Sequence, residues 1–252
     1  MAWAVVTGAS SGLGAEYARQ LADEGYDIVL VARRREALDL VADDVRNRGR
    51  RAEVLVADLA KKKDVDRVAT RISSTRKPVD YLVNNAGYGL GRSFRASTRQ
   101  EHYDSLHVMV TAVMALSHAA AQAMTERGSG TILNVSSIAS ALVRSTYSAH
   151  KAWVVVFSEA LSRDLARFGV QVTAVRPGLV RTGFHAAAGI DFDHFPKWVW
   201  IPGEQVVAES LKAARRGRVV VTPSLRYSVI SWLLSRTPRS LLRKPRRTKV
   251  GS

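Results

Sequence analysis

A tyrosine and a lysine stand four residues apart in the segment Tyr147-Ser148-Ala149-His150-Lys151. Residues with this spacing lie on one face of a helix, one turn apart. The pKa of a tyrosine side chain is ordinarily about 10, and a nearby ammonium lowers that pKa because it favours the phenolate. The spacing therefore predicts an acid-base pair, in which Tyr147 moves a proton and Lys151 brings the tyrosine pKa closer to neutrality.

A glycine cluster at residues 7–14 (TGASSGLG) follows the first apolar run and precedes a helix-forming stretch. Glycines in such a turn let the backbone approach a pyrophosphate, whose charge is stabilised by free N–H groups and the positive end of the helix. Its place between a strand and a helix favours a nucleotide site over a merely tight turn. The predicted contacts are Gly8, Ser10, Ser11, Gly12, Leu13 and Gly14.

The second apolar run ends in VARRR at residues 31–35, without an acidic residue. In a dinucleotide fold the residue at the end of this strand binds the ribose of the adenosine. An acid there favours the free 2′-hydroxyl of NAD, whereas arginine complements the 2′-phosphate of NADP by charge and paired hydrogen bonds. The sequence therefore predicts NADP(H), with Arg33 as the main discriminator and Ser11 as a helper, while Arg34 or Arg35 is the solvated start of a helix.

Apolar runs of strand length alternate with segments of helical period, which indicates a parallel sheet with helices on both faces. The predicted strands are 2–7, 27–32, 52–57, 80–84, 130–135, 170–175 and 218–221. The predicted helices are 12–24, 35–48, 61–75, 98–127, 147–167 and 204–216. We expect one domain over 1–222 and a basic extension over 223–252.

Further short motifs follow the later strands in order: DL at 58–59, NNAG at 84–87 and RPGLVRT at 176–182. With TGxxxGxG and YxxxK, they resemble the short-chain dehydrogenase/reductase family over about residues 2–222. The resemblance implies a Rossmann-type doubly wound α/β fold of about seven strands. It also implies further cofactor contacts, namely Asp58, Leu59, Asn85, Ala86, Gly87, Tyr147, Lys151, Pro177, Gly178, Val180 and Thr182.

The same resemblance implies a reaction, reversible hydride transfer between the nicotinamide and a carbonyl or alcohol carbon. In the reductive direction, which NADP(H) favours, Ser137 would hold the carbonyl oxygen and Tyr147 would protonate it. Lys151 would bind the ribose and lower the tyrosine pKa. Ser136 and Ser140 stay open as alternatives for the serine, because the interval from Ser137 to Tyr147 is shorter than is usual in the family.

Met109 departs from the family pattern. The family usually has an asparagine in the long fourth helix, where it helps hold a water that relays protons to the lysine, and residues 107–112 align Met109 with it. Methionine cannot supply that amide, so either backbone and water suffice or turnover is slow. This keeps a second interpretation open, an NADP-binding sensor or scaffold protein with little turnover.

No metal site is expected. His150 is interpreted as structural, at the flank of its helix, and the other histidines show no metal-ligand spacing. These are His102, His107, His118, His185 and His194. The chain has no cysteine, which excludes disulfides and thiol nucleophiles.

The stretch 179–203 fits neither period and concentrates aromatic residues. A loop of this length in a compact domain is typical of a lid or binding loop. Phe184, Phe192, Phe195 and Trp198 are the candidate substrate contacts, which favours a bulky apolar substrate. Packing of these rings on the core or on a partner subunit is the alternative.

Basic charge concentrates at the C-terminus. The chain of 252 residues has 38 Lys and Arg against 22 Asp and Glu, and residues 212–252 hold twelve of the cations and no acid. An apolar stretch before the basic run 243–247 is typical of an interfacial anchor on anionic lipid. A helix that packs on the domain, followed by a solvated tail, is the alternative, and nucleic-acid binding is not expected without a recognition motif.

The first residues lead straight into a strand and have no signal-peptide pattern, and no run approaches about 18 consecutive apolar residues. We therefore expect a cytoplasmic protein, which would meet a membrane, if at all, at the inner face. Two predicted helices have more apolar surface than one sheet face needs, around residues 108–116 and 153–157. By resemblance these pair across a two-fold axis, in a homodimer or homotetramer.

Overall fold

The computed structural model describes residues 2–181, 196–238 and 240. Seven parallel strands form one sheet in the order β3-β2-β1-β4-β5-β6-β7. They are β1 (Trp3–Thr7), β2 (Asp27–Ala32), β3 (Ala52–Val56), β4 (Val79–Asn84), β5 (Gly130–Val135), β6 (Val170–Val175) and β7 (Val220–Val221). The strand order reverses between β1 and β4, which makes this a doubly wound Rossmann-type sheet. The predicted fold class is confirmed.

Eight α-helices flank the sheet within the described part of the chain. They are α1 (Gly12–Asp23), α2 (Arg35–Asn47), α3 (Lys62–Ile72), α4 (Arg99–Leu106), α5 (Ala112–Arg127), α6 (Thr146–Leu165), α7 (Gly203–Arg215) and α8 (Leu225–Arg236). A π-helical turn, His107–Thr111, joins α4 to α5, so the single helix predicted over 98–127 is interrupted. The predicted strand over 218–221 is shorter than expected, because β7 is an edge strand that pairs with β6 at only two positions.

Alternate strand residues supply two separate cores, because successive side chains of a strand point to opposite faces of the sheet. Val5, Val29 and Leu82 face the core beneath α3, α5 and the π-helical turn. Val6 and Leu30, from the same strands, face the core beneath α1, α2 and α7. Burial of both faces explains why the strands are almost uniformly apolar in sequence.

The helical stretch Arg99–Arg127, which includes the π-helical turn, is long and apolar enough, by length and composition alone, to cross a membrane. Half of its most apolar window is buried inside the protein. Met109, Leu116 and Met124 of this stretch belong to the core on the sheet. Its apolar character is therefore explained by packing on the sheet.

The region after β7 begins with α8, which returns to the domain. Tyr227 is buried and packs on Gly178, in the turn that follows β6. The amide of Ser224 donates to a carboxylate oxygen of Glu209 on α7 at 2.8 Å. The first part of the region expected as an extension is thus attached to the sheet domain, and the basic run 243–247 lies outside the described residues.

Candidate active site

The turn between β1 and α1 is shaped by glycines. Gly8 and Gly12 have φ angles of +67° and +55°, in the left-handed region that side chains with a Cβ rarely adopt. A Cβ on Gly14 would lie 2.1 Å from the carbonyl oxygen of Gly8. The backbone therefore closes into a cradle that side chains at these positions would fill.

The N-terminal end of α1 faces this cradle. Ser11 is exposed at the N-cap position, and its side chain accepts no hydrogen bond from the helix amides. The first turn of α1 contains no acidic residue. Unpaired amides at the positive end of a helix bind anions such as phosphate. Ser10 and Leu13 lie beside them, both half-buried.

Asn85 connects the end of β4 to the turn. Its Nδ2 donates to the carbonyl oxygens of Thr7 at 2.9 Å and of Gly8 at 3.4 Å. The hydroxyl of Thr7 accepts from the amides of Asn85 at 3.0 Å and Ala86 at 3.1 Å. Asn85 thus supports the cradle, and its direct contact with a cofactor stays a prediction. Thr7 was not among the predicted site residues, although it begins the glycine motif.

Arg33 extends from the end of β2 into solvent. Within residues 2–181 and 196–238 it forms no ion pair, whereas Arg35 pairs with Asp39 at 3.7 Å. The charges of Asp104, Arg33, Asp58 and Glu101 all act on Tyr88, so these side chains share one corner of the site with it. The pKa of Tyr88 is raised, mainly by burial. The guanidinium of Arg33 is thereby available to an anion at this corner.

Asp58 and Leu59 form a fixed turn after β3. A carboxylate oxygen of Asp58 accepts from the amide of Ala60 at 3.1 Å. The amide of Asp58 donates to Asp64 at 2.9 Å, and this bond lowers the pKa of the Asp64 carboxyl. Leu59 is buried in the core. The structure places the pair at the expected sheet edge, and their contact with adenine stays a prediction.

Helix α6 brings Tyr147 and Lys151 together. The Nζ atom of Lys151 lies 5.8 Å from the centre of the Tyr147 ring. Lys151 is buried, and its Nζ donates to the carbonyl oxygen of Val135 at 2.7 Å. Burial lowers the pKa of Lys151 to about 8, because the ammonium loses its hydration.

The Tyr147 phenol differs from expectation. Burial raises the pKa of Tyr147 to about 12, and a hydrogen bond with Ser137 only partly opposes this. The expectation that Lys151 brings the tyrosine pKa closer to neutrality is therefore wrong for this arrangement. The physical reason is that the phenolate would lose its hydration, while the Lys151 ammonium is engaged with the carbonyl of Val135. Tyr147 is protonated at neutral pH and is suited to donate a proton.

The three candidate serines occupy different places. Ser136 is buried and its hydroxyl donates to the carbonyl oxygen of Lys151 at 2.7 Å. Ser140 lies within the 3₁₀ turn Ile138–Ala141, and its amide donates to the carbonyl of Ser137. Ser137 hydrogen-bonds Tyr147 through its side chain. This contact favours Ser137 as the serine that meets a substrate oxygen.

Met109 lies in the π-helical turn and is 1% exposed. A Cβ on Gly87 would lie 3.3 Å from Lys151 Nζ and 3.4 Å from the Cγ and Sδ atoms of Met109. Gly87 therefore leaves room for both side chains at the end of β4. π-helical turns are frequent at functional sites, and this turn carries the thioether of Met109 at the position where the resemblance predicts an asparagine.

A buried chain of polar side chains, which sequence reasoning missed, lies below the site. Nδ2 of Asn84 donates to Ser117 at 3.0 Å and to the side-chain oxygen of Asn134 at 2.9 Å. Nδ2 of Asn134 donates to Ser158 on α6 at 2.9 Å. These bonds tie β4 and β5 to the helices on one face. The available signal was an asparagine near the end of two neighbouring strands, at paired positions.

The described parts of the predicted substrate loop 179–203, which are residues 179–181 and 196–203, are held together. Val180 pairs with Ile201 in a short parallel bridge, and the amide of Ile201 donates to Leu179 at 2.9 Å. A Cβ on Gly178 would lie 2.4 Å from the Tyr227 ring, whose hydroxyl donates to the carbonyl of Val199 at 2.8 Å. Nothing in the sequence pointed to Tyr227.

The remaining predicted residues are spread around this edge or fall outside it. The carbonyl of Pro177 accepts from the amide of Ile138 at 3.0 Å. Trp198, within the predicted substrate loop 179–203, is 66% exposed. Thr182, Phe184, Phe192 and Phe195 lie outside the described residues.

His150 is half-buried at the flank of α6. Its Nδ1 lies 3.5 Å from the hydroxyl of Ser105 on α4. Burial, followed by the charge of Lys151, lowers its pKa. In the part of the chain that the structure describes, no cluster of three His, Cys, Asp or Glu side chains could hold a metal ion.

A family model described as short chain dehydrogenase matches residues 2–191. The chain belongs to the short-chain dehydrogenase family. It is similar to an uncharacterized oxidoreductase of Staphylococcus aureus, with 33% identity over 187 residues that cover 73% of this chain and 80% of the relative.

Two solved structures resemble the chain over its whole length. A short-chain dehydrogenase from Sphingobium yanoikuyae in complex with NADPH has a TM-score of 0.86 and 30% identity, covering 100% of this chain and 99% of the other. A bulky-bulky ketone specific alcohol dehydrogenase from Comamonas testosteroni has a TM-score of 0.83 and 28% identity, covering 100% and 97%. This chain is therefore a short-chain dehydrogenase, an oxidoreductase with a dinucleotide-binding fold.

Proposed function

We propose that this short-chain dehydrogenase reduces a bulky apolar carbonyl compound with NADPH, with Ser137, Tyr147 and Lys151 as its catalytic residues. The observation that carries the proposal is the meeting of these three residues. Ser137 hydrogen-bonds Tyr147, and Lys151 lies one helical turn beyond the tyrosine. All three lie at the sheet edge that also holds the glycine cradle, where ligands bind in doubly wound folds.

The residues present fit an NADP(H) cofactor. The glycine cradle and the uncapped end of α1 suit the pyrophosphate, and the exposed Arg33 suits the 2′-phosphate. The Sphingobium yanoikuyae neighbour is in complex with NADPH. When bound, the cofactor supplies or accepts the hydride.

The residues of this chain perform the proton chemistry. Ser137 would hold the carbonyl oxygen of the substrate by a hydrogen bond. The Tyr147 phenol, whose pKa is raised to about 12, would donate its proton as alkoxide charge develops on that oxygen. Lys151, whose Nζ lies 5.8 Å from the centre of the Tyr147 ring, would bind the ribose of the cofactor. Lys151 is buried and Tyr147 is half-buried, which strengthens electrostatic interactions between them.

A bulky apolar substrate is supported by two observations. Trp198, within the predicted substrate loop, is exposed, and the Comamonas testosteroni neighbour is named for bulky-bulky ketones. Phe184, Phe192 and Phe195 remain the proposed substrate contacts in the loop. The proposed reaction is the reduction of a ketone with large groups on both sides.

Met109 favours a second candidate function, an NADP sensor or scaffold. Its buried thioether lies near Lys151, where an amide would otherwise hold a water. A protein of that kind would bind NADPH with the same Arg33 contact and turn it over slowly. Turnover with a panel of bulky ketones separates the two functions, because only the reductase oxidises NADPH in their presence.

We also propose a cytoplasmic homodimer or homotetramer. Met114 on α5 and Val156 on α6 are exposed apolar residues, and Trp153 and Phe157 stack on α6 with ring centres 4.6 Å apart. A second subunit would cover such a surface. A cytoplasmic protein would meet a membrane at the inner face.

The cofactor proposal is tested by titrating the protein with NADPH and NADH and repeating both titrations with Arg33→Ala. We expect NADPH to bind more tightly, and the variant to lose about 10- to 100-fold in NADPH affinity, with little change for NADH. Arg35→Ala is the matched control, because Arg35 is already paired with Asp39. Equal affinity for both cofactors in the unaltered protein would refute NADP(H) preference.

A further inference from the structure

Helix α8 turns its apolar side chains outward. At 3.6 residues per turn, its exposed residues fall on one arc and its buried or half-buried residues on the opposite arc. The exposed arc, named the outer face here, consists of Leu225, Arg226, Val229, Ile230, Trp232, Leu233 and Arg236. A helix packed on a water-soluble domain ordinarily has the reverse arrangement.

Polar contacts hold this orientation in place. On the inward side, Tyr227 donates to the carbonyl of Val199, and Ser228 donates to the carbonyl of Thr222 at 2.7 Å. At the start of α8, the amide of Ser224 donates to Glu209. Rotating the helix to bury its leucines would break these bonds. The outer face is therefore presented to whatever lies beyond the domain.

Both charged residues of the outer face are basic. Arg226 and Arg236 are its only charged residues, and the Arg236 guanidinium lies 3.9 Å from the centre of the Trp232 ring. The region 212–252 contains twelve cations and no acid. Pairing of two such faces would bring like charges together, whereas an anionic surface would be attracted.

We propose that the outer face of α8 docks on the surface of an anionic membrane. Its apolar side chains would enter the boundary between headgroups and acyl chains, and tryptophan is well suited to that level because its ring is amphipathic. Each cation near anionic lipid strengthens binding about fivefold. This proposal goes beyond the redox reaction and stands without it.

Docking would also place the active-site edge next to lipid. Arg226 donates to the carbonyl of Trp198, and Tyr227 covers Gly178 and reaches Val199. These residues lie in the segments that enter and leave the substrate loop. A membrane on the outer face would therefore lie beside these segments.

The test is sedimentation of the full chain with vesicles of phosphatidylglycerol and phosphatidylcholine, compared with vesicles of phosphatidylcholine alone. We expect the protein to pellet with the anionic vesicles only, and to be released when salt is raised from about 0.1 M to about 1 M. The double variant Val229→Ser/Leu233→Ser should lower the partition coefficient about tenfold or more, because two apolar side chains no longer leave water. Leu40→Ser, at another exposed leucine on α2, is the matched control and should not change it.

Several outcomes would overturn the proposal. One is a protein that stays in the supernatant with anionic vesicles. A second is pelleting that the double variant leaves unchanged, since the basic tail would then bind by charge alone. A third is sedimentation velocity without vesicles showing an oligomer that the double variant dissociates, since the face would then be covered by a second copy. Unchanged melting temperatures of the variants exclude unfolding as the cause.

Discussion

The glycine turn at 7–14 and the catalytic side chains of α6 lie at the same edge of the sheet, but they are built differently. The shape of the turn depends on residues that lack a Cβ, such as Gly8 and Gly14. The reactivity of Tyr147 and Lys151 depends instead on burial, which raises the pKa of Tyr147 and lowers the pKa of Lys151. The shape of the glycine turn is therefore determined by its own residues. The reactivity of the catalytic side chains is determined by the residues packed around them.

The largest effect is expected at the catalytic half. Tyr147→Phe removes the proton donor and should lower kcat for ketone reduction about 1000-fold. NADPH affinity should fall far less, because Tyr147 is one of many predicted cofactor contacts and the glycine turn is untouched. Steady-state kinetics and a cofactor titration measure the two quantities. Tyr103→Phe, at an exposed tyrosine on α4, is the control, and near-normal turnover by Tyr147→Phe would assign proton donation elsewhere.

The next effect is expected at the cofactor half. Gly14→Ala places a Cβ 2.1 Å from the Gly8 carbonyl oxygen, which forces the turn open. We expect NADPH affinity to fall about 100-fold, equivalent to about 3 kcal/mol. Gly203→Ala is the matched control, since the nearest atom to its Cβ would lie 3.7 Å away, an ordinary contact. Equal NADPH affinity of the two variants would contradict a cradle at Gly14.

The dependence of stability on pH tests the burial of Lys151. Its pKa is 10.5 in an unfolded chain and about 8 in the fold, so between these values the unfolded chain binds more protons and stability rises with pH. The variant Lys151→Met has no group that titrates at this position, so its stability lacks this dependence on pH. Urea unfolding at both ends of that range should show the wild type gaining up to about 3 kcal/mol relative to the variant. A difference that does not change with pH would mean that Lys151 keeps its hydration.

The smallest effect is expected where α8 contacts the substrate-loop segments. Tyr227→Phe removes the hydroxyl that donates to Val199 and leaves the ring on Gly178. The free energy of unfolding should fall by about 1 kcal/mol, as measured by urea unfolding, with Tyr103→Phe again as the control. Tyr227→Ala should cost more, because the ring itself is buried. If Tyr227→Phe, Tyr227→Ala and Tyr103→Phe were equally stable, α8 would be only loosely attached to the domain.

Much of the fold was predictable because each strand and each turn is encoded within a few neighbouring residues. Apolar runs between glycine-rich or polar turns place six of the seven strands within about a residue of their observed ends. The cradle was predictable for the same reason, because Gly8 and Gly14 are required by the local geometry of the turn. The π-helical turn at 107–111 was missed, because hydrophobic period does not distinguish it from an α-helix.

The sequence by itself determined the order of the motifs, the position of the glycine turn, and the spacing that puts Tyr147 and Lys151 on one helix face. Tertiary structure alone decided which serine meets the tyrosine, the direction of the Tyr147 pKa shift, and the contact of Tyr227 with Gly178. The physical reason is that backbone shape follows from the residues along the chain. Burial, hydration and hydrogen-bond partners depend instead on residues that only folding brings near.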